Sequence, residues 1–358
     1  MDNINLSEVI RNFDIDYSVK AYGNGHINGT FLAQSNVFVL QRINTDIFKN
    51  PYALMENIEK VTQFIRNKVV KRGGDPNRAT LTVIKTLDGK SCYRYDAQTY
   101  FRMYRFIPDT VTIETEKTNE ALFQAGRGIG RFQAMLDDFP AACLHETIPD
   151  FHNTPKRIEA LKKAIKADVA DRAESVKDEI AFALSRAGFA DTVVNGLRDK
   201  SIPLRVAHND TKLNNILFDK NTLEAVCVID LDTVMPGSAL YDFGDALRMG
   251  ASTAAEDETD LDKVWFDEEA FRCFARGYCM EFGDKLTESE KNLLSFAPKL
   301  MTYECGIRFL TDYLDGDTYF KIHRENQNLD RARNHFKLVA DIESKEEKLK
   351  SIISGLVS

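Results

Sequence analysis

A chain of 358 residues is long enough for a large core and for two or three lobes. It is 43% hydrophobic and 28% charged, an ordinary globular composition, and its net charge of −8 argues against a phosphate-backbone footprint and so against nucleic acid as main partner. The six cysteines form no C-x-x-C pair, no apolar run approaches membrane-spanning length, and the start lacks a basic region followed by an apolar one. The expectation is a cytoplasmic protein with reduced, buried thiols and no membrane partner.

Residues 6–13 read as a short leading helix. Strands are expected over 19–22 and 30–33, on either side of Gly23-Asn24-Gly25-His26-Ile27-Asn28-Gly29, and over 37–43. The segment 51–70 has helical periodicity, with Pro51 at its start and Gly73-Gly74 beyond its end. Runs at 81–84 and 91–95 flank Asp88-Gly89, a hairpin signal, and 100–107 is a further strand ending at Pro108. From 118 onward helices dominate, over 118–137, 155–199, 241–251, 267–282, 288–314 and 328–352. This pattern predicts an α+β fold of two lobes, a small β-rich lobe over 1–107 and a larger helical lobe over 108–358, with Pro108-Asp109 near the hinge.

One hairpin interrupts the helices. His208-Asn209-Asp210-Thr211-Lys212-Leu213-Asn214-Asn215 leads into an apolar strand, and a second apolar run over 225–229 ends at Asp230. The pattern H-x-D, then Asn, then a strand closed by Asp is the catalytic-loop spacing of phosphoryl-transfer enzymes. A hairpin folded about 222 and 223 puts Asn215 opposite Asp230. An amide oxygen and a carboxylate are hard ligands suited to Mg²⁺. Asp210 can take a proton from an attacking hydroxyl, and Lys212 can neutralise charge on the transferring group. Any one of these residues alone reads as part of a solvated turn; the four together favour the catalytic reading.

These residues, with Tyr22-Gly23-Asn24-Gly25-His26-Ile27-Asn28, the run from Ile229 to Ser238 and Glu304-Cys305-Gly306-Ile307-Arg308-Phe309-Leu310, resemble the aminoglycoside phosphotransferase and choline kinase-like superfamily, and within it the N-acetylhexosamine 1-kinases. The resemblance covers nearly the whole chain. It implies a two-lobed protein-kinase-like fold, ATP as co-substrate with Mg²⁺, and phosphorylation of the anomeric hydroxyl of GlcNAc or GalNAc. It further implies sugar contacts from His26, Arg308 and Tyr319, with Asp210 at the acceptor hydroxyl. Gly23 and Gly25, whose backbone N–H groups can approach phosphates, and Arg42 and Arg105 fall to the nucleotide.

Some readings stay open. Arg308 and Asp312, at i and i+4, are more simply a helix-surface ion pair. Asp232 could touch the sugar, join a second metal or stabilise the following turn. His26 could equally be bonded within its own loop. Asp242-Phe243-Gly244 spells the metal signature of protein kinases but opens a helix; its expected role is to cap that helix or brace the catalytic loop. Val83-Ile84-Lys85 spells the nucleotide-lysine strand but follows the 51–70 helix, whereas the strand in the right place carries Gln41 where the lysine belongs. That gap leaves Glu56 and Glu59 without a role and is the sole support for a non-catalytic scaffold. Kinases of other small alcohols, aminoglycoside, choline or homoserine-like, are the rival within the fold. The sequence is silent on oligomeric state.

Overall fold

The structure, a computed structural model, describes residues 4–13, 15, 19–21, 29–33, 37–113 and 117–357. Its α+β architecture resolves into two compact units that interleave along the chain. A strand-rich unit takes 1–112, 135–149 and 215–236; a helical unit takes 113–134, 150–214 and 237–358. The expected cut between 107 and 108 is a single one, but the chain returns to the first unit twice. Backbone pairing explains the second return, because the hairpin strand of 216–219 pairs with residues 110 and 111.

In the strand-rich unit, α1 (Leu6–Arg11) precedes β1 (Val19–Ala21), β2 (Gly29–Ala33) and β3 (Phe38–Ile43). Next come α2 (Pro51–Lys71), α3 (Pro76–Ala79), β4 (Val83–Ile84), β5 (Tyr93–Arg94), β6 (Tyr100–Arg105) and β7 (Thr110–Val111). Asn50 caps α2 by accepting from Ala53 N, Pro51 fits the first turn, and Leu54, Ile58, Val61, Ile65 and Val69 bury one stripe. The large sheet is antiparallel in the order β1-β2-β3-β6-β4, with β5 also on β6. On one face Leu40, Phe101 and Met103 pack with Val9, Ile10 and Phe13 around α1. Side chains alternate across a strand, so Gln41, Arg102 and Tyr104 belong to the other face. After β8 (Arg205–Ala207) of the helical unit, β9 (Ile216–Asp219) and β10 (Ala225–Val228) form the hairpin, in a sheet ordered β10-β9-β7.

The helical unit contains nearly all of α4 (Asn119–Leu136), then α5 (Thr154–Ala167), α6 (Lys177–Ser185), α7 (Thr192–Asp199) and α8 (Ala239–Gly250). It continues with α9 (Glu268–Phe282), α10 (Glu288–Leu293), α11 (Ala297–Leu314), α12 (Gln327–Ser344) and α13 (Glu346–Val357). The helix expected over 155–199 is three. Asp168 turns left-handed (φ 41°) and its carboxylate accepts the N–H groups of Arg172 and Ala173, which ends α5. The 288–314 run breaks before Pro298, which sits in the first turn of α11, and the 328–352 run breaks at Lys345. The core joins Tyr303, Ile307 and Leu310 of α11 to Leu329, Phe336 and Val339 of α12. Helices α4 and α9 approach closely enough that a Cβ at Gly126 would lie 2.0 Å from the Phe274 carbonyl oxygen. All six cysteines are free thiols; Cys143 is exposed and Cys305 half-buried, against the expectation that all are buried. Among the described residues no helix is long and apolar enough to cross a membrane.

Candidate active site

In the helical unit, β8 delivers the chain into the loop His208–Lys212, and its backbone is held by α8. His208 N and Asn209 N donate to the two carboxylate oxygens of Asp242 at 2.9 and 2.7 Å. Gln133 of α4 donates to the same carboxylate. One turn on, Asp245 Oδ2 accepts Thr211 N at 2.8 Å, and Thr211 Oγ1 donates to the Asp242 carbonyl at 2.6 Å. Ser238, not Asp242, caps α8 by accepting Leu240 N. Of the two roles expected for Asp242, bracing is the one it has. Burial pushes its carboxyl above the usual range, against the pull of His208 and the N–H donors.

A further brace comes from His152 and Glu304. His152 Nε2 meets the Asn209 carbonyl at 3.2 Å and Nδ1 meets Glu304 Oε1 at 2.7 Å, while Thr154 Oγ1 donates to Glu304 Oε2 at 2.6 Å. Burial would raise the Glu304 carboxyl, but His152, Thr154 and Arg308 more than offset it and leave it below the usual range. Asn209 is left-handed (φ 66°), which turns the chain between these anchors. Asp210 is half-buried and its Oδ2 takes an ion pair from Lys212 Nζ at 2.9 Å. The loop backbone is thus fixed on dry partners, while the side chains of Asp210 and Lys212 keep 25% and 37% of their surface.

Arg308 is ringed by aromatics: its guanidinium carbon lies 5.9 Å from the Phe151 and Tyr319 ring centroids and 5.4 Å from that of Phe320. The ion pair suggested by the Arg308–Asp312 spacing is not how Asp312 is used. Its buried carboxylate accepts the N–H groups of Thr318, Tyr319 and Phe320 and the Asn328 amide. Asp312 therefore ties down the loop that brings Tyr319 to Arg308. Tyr319 itself is 66% exposed. A second guanidinium, Arg157, is near; burial and then Arg308 push its pKa down.

In the strand-rich unit the β9–β10 register corrects the expected pairing. Ala225 pairs with Phe218, but Cys227 pairs with Leu217 and Val228 with Ile216, because a bulge falls between 225 and 227. Asn215 therefore stands opposite Ile229, whose N–H donates to the Asn215 carbonyl at 2.8 Å, and Asp230 is one residue further on. Asp230 is left-handed (φ 60°), so strand alternation no longer dictates where its carboxylate points. Asn215 is 5% exposed and Asp230 half-buried. A buried amide and a carboxylate at neighbouring ends of one hairpin fit the oxygen-donor set Mg²⁺ requires.

Asp232 is 3% exposed and forms an ion pair with Arg102 of β6. Arg102 Nε also donates to Gln41 Oε1 at 3.0 Å, and Gln41 Nε2 donates to Thr30 Oγ1 at 3.2 Å. Arg42 and Arg105 are exposed and pair with Phe101 and Phe38, on the face away from Gln41 and Arg102. Gly23, Gly25 and His26 lie outside the described residues. Glu59 of α2 is paired with Lys85, just past β4, and Glu56 with Lys60 at 2.6 Å and His145 at 2.7 Å. A Lys–Glu pair to the long helix thus exists, but from the far edge of the sheet.

His152, Asp245 and Arg102 were not named from the sequence, and Glu304, first residue of the 304–310 segment, was given no role there. Two of them left a trace. Asp245 is a second acid one turn from Asp242 in the mostly apolar run Ala239–Gly250, and Arg102 is the lone charge among four apolar or aromatic neighbours in the run Tyr100–Tyr104.

Residues 18–274 match the model of the phosphotransferase enzyme family. An aminoglycoside phosphotransferase from Alicyclobacillus acidocaldarius superimposes with a TM-score of 0.65 at 12% identity, over 99% of this chain and 98% of that one. A spectinomycin phosphotransferase solved with ADP and spectinomycin gives 0.60 at 15% identity over 97% and 100%. A microcompartment-associated aminopropanol kinase gives 0.57 at 15% over 96% and 98%. The fold is the two-lobed, kinase-like α+β fold of these enzymes, and the chain belongs to the phosphotransferase enzyme family.

Proposed function

We propose that this phosphotransferase moves the γ-phosphoryl group of ATP to the anomeric hydroxyl of an N-acetylated hexose, giving the sugar 1-phosphate. The observation that carries the phosphoryl-transfer reading is the loop of 208–211, whose backbone N–H groups at 208, 209 and 211 are pinned by Asp242 and Asp245 while the Asp210 carboxylate stays half-exposed. Phosphoryl transfer asks little covalent chemistry of a protein and much positioning, which a loop so fixed supplies. Asp210 orients the acceptor hydroxyl and takes its proton. Lys212, already paired with Asp210, offsets negative charge on the group in transit. Asn215 and Asp230 would hold Mg²⁺, which when bound neutralises charge on the nucleotide phosphates.

The sugar assignment rests on the resemblance of segments 22–28, 229–238 and 304–310, and on Arg308 among aromatic rings. In this reading Arg308, Tyr319 and His26 contact the sugar. The choline- and aminoglycoside-type alternative requires a cation beside Arg308, and the nearness of Arg157 makes that costlier, because two guanidiniums already share the neighbourhood. A panel of free sugars and amino alcohols, assayed with ATP and Mg²⁺ and followed by phosphorus NMR of the product, tests the reading. An anomeric phosphate on GlcNAc or GalNAc is expected. A 6-phosphate, or turnover confined to cationic alcohols, would overturn the sugar assignment, and no turnover with any acceptor would leave a non-catalytic nucleotide module.

A further inference from the structure

Strand β3 lacks the lysine that phosphoryl-transfer enzymes of the V-A-I-K pattern set against the nucleotide phosphates; Gln41 stands in its place. A positive charge lies one strand away. The β3–β6 register puts Arg102 directly opposite Gln41, and directly opposite residues share a face. The Gln41 amide spans the two strands, accepting from Arg102 Nε and donating to Thr30 of β2. On its other side Arg102 Nη1 is paired with Asp232, two residues beyond Asp230. Burial alone would push the guanidinium's pKa down; Asp232, Tyr104 and Asp230 together hold it above the ordinary arginine value. Through Asp232 the guanidinium is tied to the segment that carries Asp230.

A guanidinium only 1% exposed is expensive to bury, and a single ion pair in such a place seldom stabilises more than an apolar pair of the same volume. A cation placed there calls for a use. Resting on the kinase reading above, we infer that Arg102 is the fixed cation of the nucleotide site, supplying from β6 the charge that Gln41 cannot supply from β3, and that Gln41 and Asp232 are the residues that position it. Asp232 then belongs to the nucleotide side and not to the sugar. Lys85, whose partner is Glu59, does not substitute: β4 lies beyond β6 in the sheet, at the opposite edge from β1.

The test measures binding of ADP with Mg²⁺ by calorimetry, with melting temperature and the separate KM values for ATP and sugar. R102M alone removes the cation paired with the buried Asp232 carboxylate and could fail to fold, so the working variant is R102M/D232N, which removes both charges. It should melt near the wild type, lose about tenfold or more in nucleotide affinity, and keep its sugar KM. Adding Q41K restores a cation on β3 and should recover most of the loss, which a packing role would not allow. R102K, which keeps the charge and the Asp232 partner, should bind ADP within a few-fold of wild type and serves if the double variant does not fold. Unchanged nucleotide affinity in R102M/D232N overturns the inference, as does a loss that Q41K does not correct, or an R102K variant that folds and binds ADP as weakly as R102M/D232N is expected to. If the wild type itself binds no nucleotide, the kinase reading fails first, and that failure is visible before any variant is made.

Discussion

Two buried carboxylates, Asp232 in the strand-rich unit and Asp242 in the helical unit, are kept in the interior by opposite means. Asp232 is matched by a full charge, the Arg102 guanidinium. Asp242 faces dipoles, namely the N–H groups of His208 and Asn209 and the Gln133 amide. Charge against charge fixes one side chain to another, each offsetting the other's burial cost. Charge against backbone N–H groups fixes the chain itself, so removing the carboxylate releases a loop. The first arrangement holds a charged side chain in a set place; the second holds a stretch of backbone. Asp210 is the third case, half-exposed, with a lysine partner on its own loop.

The largest effect should come from the exposed member of this set. Asp210→Asn is expected to keep the melting temperature and lose about 10²–10⁴-fold in turnover, the usual range for a general base. Near-normal turnover would remove Asp210 from the chemistry and leave its bracing without a purpose. Next is Asp242→Ala, which removes the acceptor of two buried N–H groups and of one Gln133 N–H, the Gln133 amide keeping the Val206 carbonyl. At about 1–3 kcal/mol for each buried group left unsatisfied, denaturant unfolding should show a loss of several kcal/mol. Its counterpart, Asp230→Ala, should abolish Mg²⁺-dependent nucleotide binding with little change in stability. If the two variants exchange phenotypes, the contrast between bracing and binding aspartates is reversed.

A pH titration sharpens the comparison from a third buried site. His335 is pushed down to about 4 by burial first and then by Arg248, whose Nη1 lies 3.1 Å from its Nε2. A histidine depressed in the folded state stays neutral where the unfolded chain binds a proton. Its contribution is therefore intact above about pH 6.5 and lost as the pH falls from 6.5 towards 4, on the order of 3 kcal/mol in all. His335→Gln should flatten that part of the stability profile; an unchanged slope would mean another group titrates there. The smallest effect is Arg308→Ala, expected to weaken sugar affinity roughly tenfold with ATP affinity little changed. A change in ATP affinity would move Arg308 out of the sugar subsite.

The sequence carried much of this because local patterns report local structure. Pro51 and Asn50 mark the start of α2, and the apolar stripe from Leu54 to Val69 marks its buried face. Asp242 was separable from the metal-binding pattern because it opens a helix, and the structure gives it the bracing role. Elements failed where one side chain overrides periodicity, as Asp168 does in splitting 155–199. The Asn215–Asp230 pairing failed by one residue because a bulge leaves no mark in an apolar run such as Ala225–Val228.

By itself, then, the sequence determined the order of strands and helices, the spacing of Asp210, Asn215 and Asp230, and the absence of a lysine on β3. These are properties of neighbours along the chain, where a period of 2.0 or 3.6 residues is enough to read them. Only the tertiary structure decided that Arg102 faces Gln41, that His152 and Glu304 hold the Asn209 carbonyl, and that Asp312 serves a loop and not Arg308. Each of the first two joins residues dozens of positions apart, and the third joins an acid to backbone N–H groups that every residue but proline possesses. No periodicity encodes such pairings. They are selected when the interior closes, because a buried charge or N–H group must find whichever partner the packing brings within about 3 Å.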